Sequence, residues 1–322
     1  MGVTAPRAIG VRLPYDGVPP PVRAWVERTL GSPVVGVAEQ VGGMSPGCAT
    51  RLTCADGTRA FVKAVGAALN PDTPTLFRRE IGVLEHIGEH ELWARLLASY
   101  DDGDWVALLI EDVEGRHPDF TDDAELEAVL EGTDRVAEVL QQRDVPADVP
   151  LVEVRSVFGK WADCLATLDD APAEAPLPEW LRDDPYGWAD VLREHSTRPM
   201  SQVAHWDIRV DNLLRRPGGE IVFVDWGTAA RGPAWVDPLL ARLERVDEPW
   251  FDRSIASSPA LAAAGDDAVT AFVAGFAAHM AVRSVTAVDV NLPTLNDFRI
   301  TESRRMLDAV SRRTGRPPAS GS

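Results

Sequence analysis

Cysteine is scarce in this chain, with three residues, Cys48, Cys54 and Cys164, in 322. None pairs with another at a metal-ligating spacing. An odd, low count excludes a disulfide framework and leads us to expect a reducing, cytoplasmic setting. Basic residues are also few: 32 Lys and Arg stand against 50 Asp and Glu, a formal net charge of −18. Nucleic acid is therefore not an expected partner, because phosphate backbones require a basic face. An acidic surface confers solubility and is compatible with a cationic small substrate. The first residues, MGVTAPRAIGVRLPYDG, lack an apolar signal core, and Pro6 stands where a myristoylation pattern requires Ser or Thr. The longest uncharged apolar run, residues 268–282, is too short to cross a bilayer. We expect a buried helix there, and no membrane partner. No internal repeat stands out.

What is present is globular in composition, 45% apolar and 25% charged, and long enough for a proper core. Residues 1–19 are rich in Pro and Gly and are expected to lie over the surface. A short helix is expected over Pro20–Leu30, with Gly31 after its end. Three Val- and Ala-rich runs follow, 34–41, 48–54 and 59–65. Their short connections, GGMSPG and ADGT, make an antiparallel meander. A helix over 71–88 comes next, with Thr73 as its cap and Pro74 in its first turn. Two more strands, 96–100 and 105–111, flank the turn DDGD. After Gly115 the pattern is mainly helical, over 122–144, 151–168, 188–195 and again from Pro238. Residues 168–186 read as an exposed connection, and the last ten as disordered.

The stretch 203–227, VAHWDIRVDNLLRRPGGEIVFVDWG, carries the chemistry. LLRR-PGG-EIVFV reads as a hairpin with Asn212 before its first strand and Asp225 after its second. A hairpin brings its open ends together, so two oxygen-bearing side chains meet there, as Mg²⁺ requires when nucleotide phosphates complete its shell. Asp207, five residues before Asn212, is placed to accept a proton from an attacking hydroxyl. Arg209 could stabilise the transferring phosphoryl group or pair with Asp211. His205 reads as a core histidine bonded to backbone, and Asp237 as an anchor for the loop's N–H groups. Trp206 and Trp226 could wall an acceptor pocket or pack in the core.

Upstream, Glu80 falls in the middle of the apolar face formed by Leu76, Val83, Leu84 and Ile87. A carboxylate there requires a buried cation. Lys63, the one charged residue between Ala60 and Ala68, meets that need and could hold the α- and β-phosphates. The connection VGGMSPGC is not a Walker A loop, which would lead into a helix. Backbone around Gly43 and the Ser45 hydroxyl could approach phosphates, although the same residues also make a plain glycine-rich turn.

With these residues in place, the chain resembles the aminoglycoside phosphotransferase and choline-kinase-like family of small-molecule kinases. The resemblance covers about 34–240. It rests on H-W-D-I-R-V-D-N, on D-W-G, and on the few residues between Gly227 and Gly232-Pro233, where protein kinases carry a long activation segment. It implies an α+β, two-lobed protein-kinase-like fold: a nucleotide lobe over 1–112, a helical catalytic and substrate lobe over 113–312, and a tail over 313–322. It implies ATP or GTP with Mg²⁺ as cofactors. Asp207 would be the base, Lys63 and Glu80 the phosphate lysine and its partner, and Asn212 and Asp225 the metal ligands. Glu111 to Val113 would be the linker that meets the purine. The family usually has Gly where Trp206 stands, and commonly His at the position of Arg209. The reaction expected is γ-phosphoryl transfer to a hydroxyl of a small polar molecule, with an antibiotic as the leading acceptor. An amino sugar, sugar or amino alcohol is the alternative. A catalytically silent kinase-like binding protein and a metal-dependent phosphohydrolase are the rival classes.

Overall fold

Glycine ends the first helix, α1 (Pro20–Leu30), where Gly31 takes a left-handed φ of 74°. The computed structural model describes residues 11–40, 45–141, 143, 149, 151–183, 186–200, 202–288 and 292–319. Strands β1 (Val34–Glu39), β2 (Cys48–Cys54) and β3 (Arg59–Gly66) form the expected meander. Helix α2 (Thr73–Ile87) follows, then β4 (Leu96–Asp101) and β5 (Trp105–Ile110). The sheet order is β1-β2-β3-β5-β4, antiparallel throughout.

The sheet's two faces bury different cores because strand side chains alternate. Cys48, Leu52, Val62 and Ala64 pack with Val22 and Val26 of α1. Val65, Val106 and Leu108 face α2 and join the main core, which continues into the helical lobe. That lobe comprises α3 (Asp123–Gln141), β6 (Val152–Glu153), α4 (Val154–Ala166), α5 (Glu179–Asp183), α6 (Tyr186–Thr197) and β7 (Gln202–Ala204). It continues through β8 (Leu213–Arg215), β9 (Ile221–Phe223), β10 (Ala230–Gly232) and α7 (Val236–Leu243). The last helices are α8 (Pro249–Ile255), α9 (Pro259–Ala264), α10 (Asp266–Thr286) and α11 (Leu295–Thr314). The α+β, kinase-like two-lobed architecture is the one the sequence implied.

Several local expectations are corrected by long-range contacts. Residues 11–19 do not simply lie over the surface: Tyr15 and Val18 are buried, and Leu13 pairs with Gly47. Thr73 does not cap α2. The Asn70 side-chain oxygen accepts from the Asp72 and Thr73 N–H groups and from the Thr73 hydroxyl, each at 2.9 Å. Helix α4 begins at Val154, not Leu151, because Val152 and Glu153 pair with β10. The 168–186 connection is pinned, with Leu181 fully buried and Arg182 donating to the Leu168 and Pro172 carbonyls. The tail expected to be disordered from 313 is placed as far as Ala319. Arg316 lies 5.1 Å from the Trp188 ring centroid, and the Ala319 N–H donates to Asp308 at 2.8 Å.

Helix α10 is the buried helix expected over 268–282, longer than the uncharged run itself. At 21 residues, with a mean hydropathy of 1.4 in its most apolar window, it is long and apolar enough to cross a membrane by length and composition. Instead 67% of that window is buried inside the protein, against α4, α6 and α11. Close packing depends on Gly275, where a Cβ would lie 2.6 Å from the Leu192 Cδ1 and 3.2 Å from the Trp161 Cβ. Gly275→Ala is expected to lower the unfolding free energy by about 1–3 kcal/mol through overpacking, measured as a reduced midpoint in urea denaturation with an unchanged slope.

Candidate active site

The hairpin β8–β9 pairs Leu213 with Phe223 and Arg215 with Ile221, and Gly219 turns it at a φ of 101°. Its open end closes as expected: the Val224 N–H donates to the Asn212 carbonyl at 2.9 Å. Asp225 follows at a left-handed φ of 68°, which Asp tolerates better than most residues. Asn212 turns its amide to Asp207, donating to the carboxylate Oδ2 at 2.8 Å and to the backbone carbonyl at 2.9 Å.

The loop holding Asp207 is fixed from beneath. Asp237, at the start of α7, accepts the His205 N–H at 2.8 Å and the Trp206 N–H at 2.9 Å. His205 is fully buried, and its Nε2 donates to the Val224 carbonyl at 2.9 Å. Burial holds its pKa below the ordinary value, so the ring is a neutral brace between loop and hairpin, the role expected for it. Arg209 donates from Nε to Asp211 at 3.0 Å, and the same nitrogen lies 3.8 Å from Asp207. The arginine is thus paired with Asp211 and close to the base at once. Burial raises the Asp207 carboxyl above its ordinary value, against the opposing pull of Arg209.

Lys63 meets Glu80 as expected. Its Nζ lies 2.7 Å from Glu80 Oε2 and 2.9 Å from Asp225 Oδ1. Burial would lower the ammonium pKa, but Asp225 and Glu80 together hold it above the ordinary value. The same burial works to raise Asp225, and Lys63 keeps it below the usual carboxylate range. Glu80 also accepts the Trp226 N–H, and Arg79 donates to the Gly227 carbonyl at 3.1 Å. Helix α2 thereby grips the segment after β9 at two successive residues.

The remaining expected residues are distributed differently. Gly43 lies outside the described residues. Ser45 presents its carbonyl to Arg12 at 2.8 Å. Glu111 pairs with Arg216 at 2.7 Å, and its N–H donates to the Arg95 carbonyl at 2.8 Å. It ties the end of the sheet to the hairpin turn. The Val113 side chain is in the core.

Trp226 is 1% exposed and packs edge-on against Trp93 and His205, so it belongs to the core. Trp206 is half-buried. It has a φ of 67°, a conformation that glycine adopts freely and a bulky residue does not. Its ring stacks on Trp161 at 6.2 Å, which in turn stacks on Phe276 at 5.0 Å. Sequence reasoning missed Arg12, Asn70 and Arg79. Each acts on a partner remote in sequence or through a local turn that no periodicity marks.

As a metal position, the open end of the hairpin offers two hard oxygen donors, the Asp225 carboxylate and the Asn212 amide oxygen. Among the described residues no group of three or more His, Cys, Asp or Glu side chains gathers around a metal position. A two-oxygen set suits a cation that draws its other ligands from phosphates and water.

An antiparallel sheet that delivers a paired lysine to a carboxylate beyond a hairpin, above a braced Asp loop, is the architecture of a kinase-like phosphotransferase. The chain belongs to the phosphotransferase enzyme family, whose profile matches residues 53–276, and it is a small-molecule phosphotransferase. Solved structures agree on the fold. Choline kinase LicA from Streptococcus pneumoniae superposes with a TM-score of 0.58 at 13% identity, covering 90% of this chain and 98% of that one. A thermostable mutant of aminoglycoside phosphotransferase APH(4)-Ia, in a ternary complex with ADP and hygromycin B, gives 0.57 at 15% identity, covering 91% and 98%. An aminoglycoside phosphotransferase from Alicyclobacillus acidocaldarius subsp. acidocaldarius DSM 446 gives 0.53 at 14%, covering 88% and 92%. A comparison with curated proteins gives no match.

Lys63→Met is expected to destabilise the fold by about 3 kcal/mol, because it strands the buried Glu80. Denaturant titration measures the loss, and adding Glu80→Leu in the same chain should recover most of it.

Proposed function

We propose that the chain transfers the γ-phosphoryl group of ATP or GTP to a hydroxyl of a small polar molecule. The observation that carries this reading is the placement of Asp207, held by Asn212 and flanked by Arg209, beside a Lys63–Asp225 pair already joined at 2.9 Å. In this reading Lys63 binds the phosphate chain and Asp207 orients the acceptor hydroxyl and takes its proton as the new bond forms. Arg209, fixed by Asp211, stands near enough to Asp207 to offset charge on the phosphoryl group in flight. Asn212 and Asp225 would hold Mg²⁺, which would supply positive charge against the phosphates.

The acceptor has to be read from this chain's own residues, because an aminoglycoside phosphotransferase and a choline kinase share its fold equally well. Trp206, next to Asp207, is half-buried at one end of an aromatic array that runs through Trp161 to Phe276. Such a wall favours an acceptor with a flat apolar or cationic face beside its hydroxyl, and the net charge of −18 fits a cationic one. An antibiotic is the leading class. An amino alcohol or amino sugar is the second reading, favoured by the same aromatic array.

A panel of aminoglycosides, peptide and nucleoside antibiotics, macrolides, amino sugars and amino alcohols, run with Mg²⁺ and each nucleotide, tests this by mass gain of one phosphoryl group. Asp207→Asn should lower turnover by about 10²–10⁴ while nucleotide affinity, read by calorimetry, stays within twofold. Unchanged turnover would remove Asp207 from the role of base. The wild-type rate should fall on the acid side as Asp207 protonates. Because its pKa is raised in the folded protein, activity is present above that raised value and lost below it, at higher pH than for an exposed aspartate. Trp206→Ala should raise the acceptor KM roughly tenfold and leave the nucleotide KM in place, as steady-state kinetics with each substrate varied will report.

A further inference from the structure

The N-terminal segment brings a cation to the glycine-rich connection that none of the family motifs accounts for. Residues 11–13 run beside the returning arm of the glycine-rich connection. The Gly47 N–H donates to the Val11 carbonyl at 3.2 Å, and the Leu13 N–H donates to the Gly47 carbonyl at 3.1 Å. Between those two bonds, Arg12 donates from Nη1 to the Ser45 carbonyl at 2.8 Å. Gly47 has a φ of 127°, and a Cβ on it would sit 2.7 Å from the Ala64 carbonyl oxygen. The arm is therefore pressed against β3. Cys48 pairs with Ala64, and Ala49 with Lys63, so the arm that Arg12 holds leads directly into the strand that pairs with the phosphate lysine.

Its surroundings are those of a binding group. The side chain is half-buried, and burial lowers its pKa while Asp225, the largest opposing influence, favours the charged form. Asp225 is already bonded to Lys63, which is shared with Glu80. Asp225 thus acts on Arg12 as well as on Lys63, and a cation that turns toward an incoming phosphate chain does so in partly desolvated surroundings. The planar guanidinium fork matches phosphate oxygens in a way a lysine does not.

We propose that Arg12 is a nucleotide-phosphate ligand, delivered from outside the sheet by the N-terminal segment, which grasps the phosphate chain from the glycine-rich side while Lys63 holds it from β3. The inference rests on the reading of the chain as a nucleotide-dependent phosphotransferase.

The test uses the full chain with Mg²⁺ and measures the affinities of ATP, GTP, ADP and adenosine by calorimetry for wild type, Arg12→Ala, Arg12→Gln and Arg12→Lys. Thermal melts establish that each variant is folded. Arg12→Ala and Arg12→Gln should each weaken the preferred triphosphate by about 10- to 100-fold and leave adenosine unchanged, with Arg12→Lys in between. Arg12→Gln separates the two roles the residue can have. It keeps a donor for the Ser45 carbonyl but not the charge, so near-wild-type affinity in that variant would make Arg12 a loop clamp and overturn the proposal. Equal losses for ATP and adenosine would overturn it as well. If wild type binds nucleotide and Arg12→Ala binds it as tightly, this inference alone falls. If wild type binds neither ATP nor GTP, the functional reading falls and takes this inference with it.

Discussion

One ammonium group holds the site together. Lys63 comes from a central strand, Glu80 from the helix beneath it, and Asp225 from the far side of the cleft, beyond the hairpin. A carboxylate as buried as Glu80, 1% exposed, is tolerable only with its charge matched. The choice of lysine is specific. The chain has 30 arginines and two lysines, Lys63 and Lys160. A compact head with three rotatable donors can meet two carboxylates from different elements at 2.7 and 2.9 Å, whereas a planar fork is better suited to a single one. The position of α2, and through Arg79 and Glu80 the path of the chain after Asp225, follows from that pairing.

The loop carrying Asp207 is fixed in the opposite manner, by many modest bonds. Two N–H groups end on Asp237, a neutral imidazole bridges to the hairpin, and the Val210 N–H ends on Glu244 at 3.2 Å. Arg305 of α11 supports Glu244 in turn by donating to its carbonyl at 2.6 Å. Such over-determination lets a tryptophan persist at a φ of 67°, a conformation that costs on the order of 1–3 kcal/mol outside glycine. Strain kept beside the proposed base points to a use for the ring that a glycine would not serve.

The parts legible in the sequence were those whose logic is local. The hairpin that joins Asn212 to the residue before Asp225 announces itself by two apolar runs and a Pro-Gly-Gly turn. Glu80 reveals its partner because it interrupts an apolar stripe, so the demand for a cation can be read from one helix. The hidden parts depend on pairings between distant segments. Arg12 sits in a Pro- and Gly-rich stretch with no periodicity, and only its ladder to Gly47 gives it a place. The start of α4 shifts because Val152 and Glu153 find β10, which no propensity at 151–153 indicates. Arg316 lies in a run that reads as polar and disordered, yet two tryptophans from another segment receive it. For the same reason Glu111 and Val113 carried no signal of their own beyond their position after β5.

Helix α10 gives the molecule an order of assembly. Its apolar surface is shared among α4, α6 and α11, and the first two are synthesised before it. The third is not: Met306, Leu307 and Val310 of α11, all buried, are made after it. Until they leave the ribosome, a 21-residue segment with the composition of a membrane span stands with one side bare. Folding of this lobe is therefore completed only after α11 has been made, and in the interval the nascent chain presents the kind of surface that chaperones and aggregates both recognise.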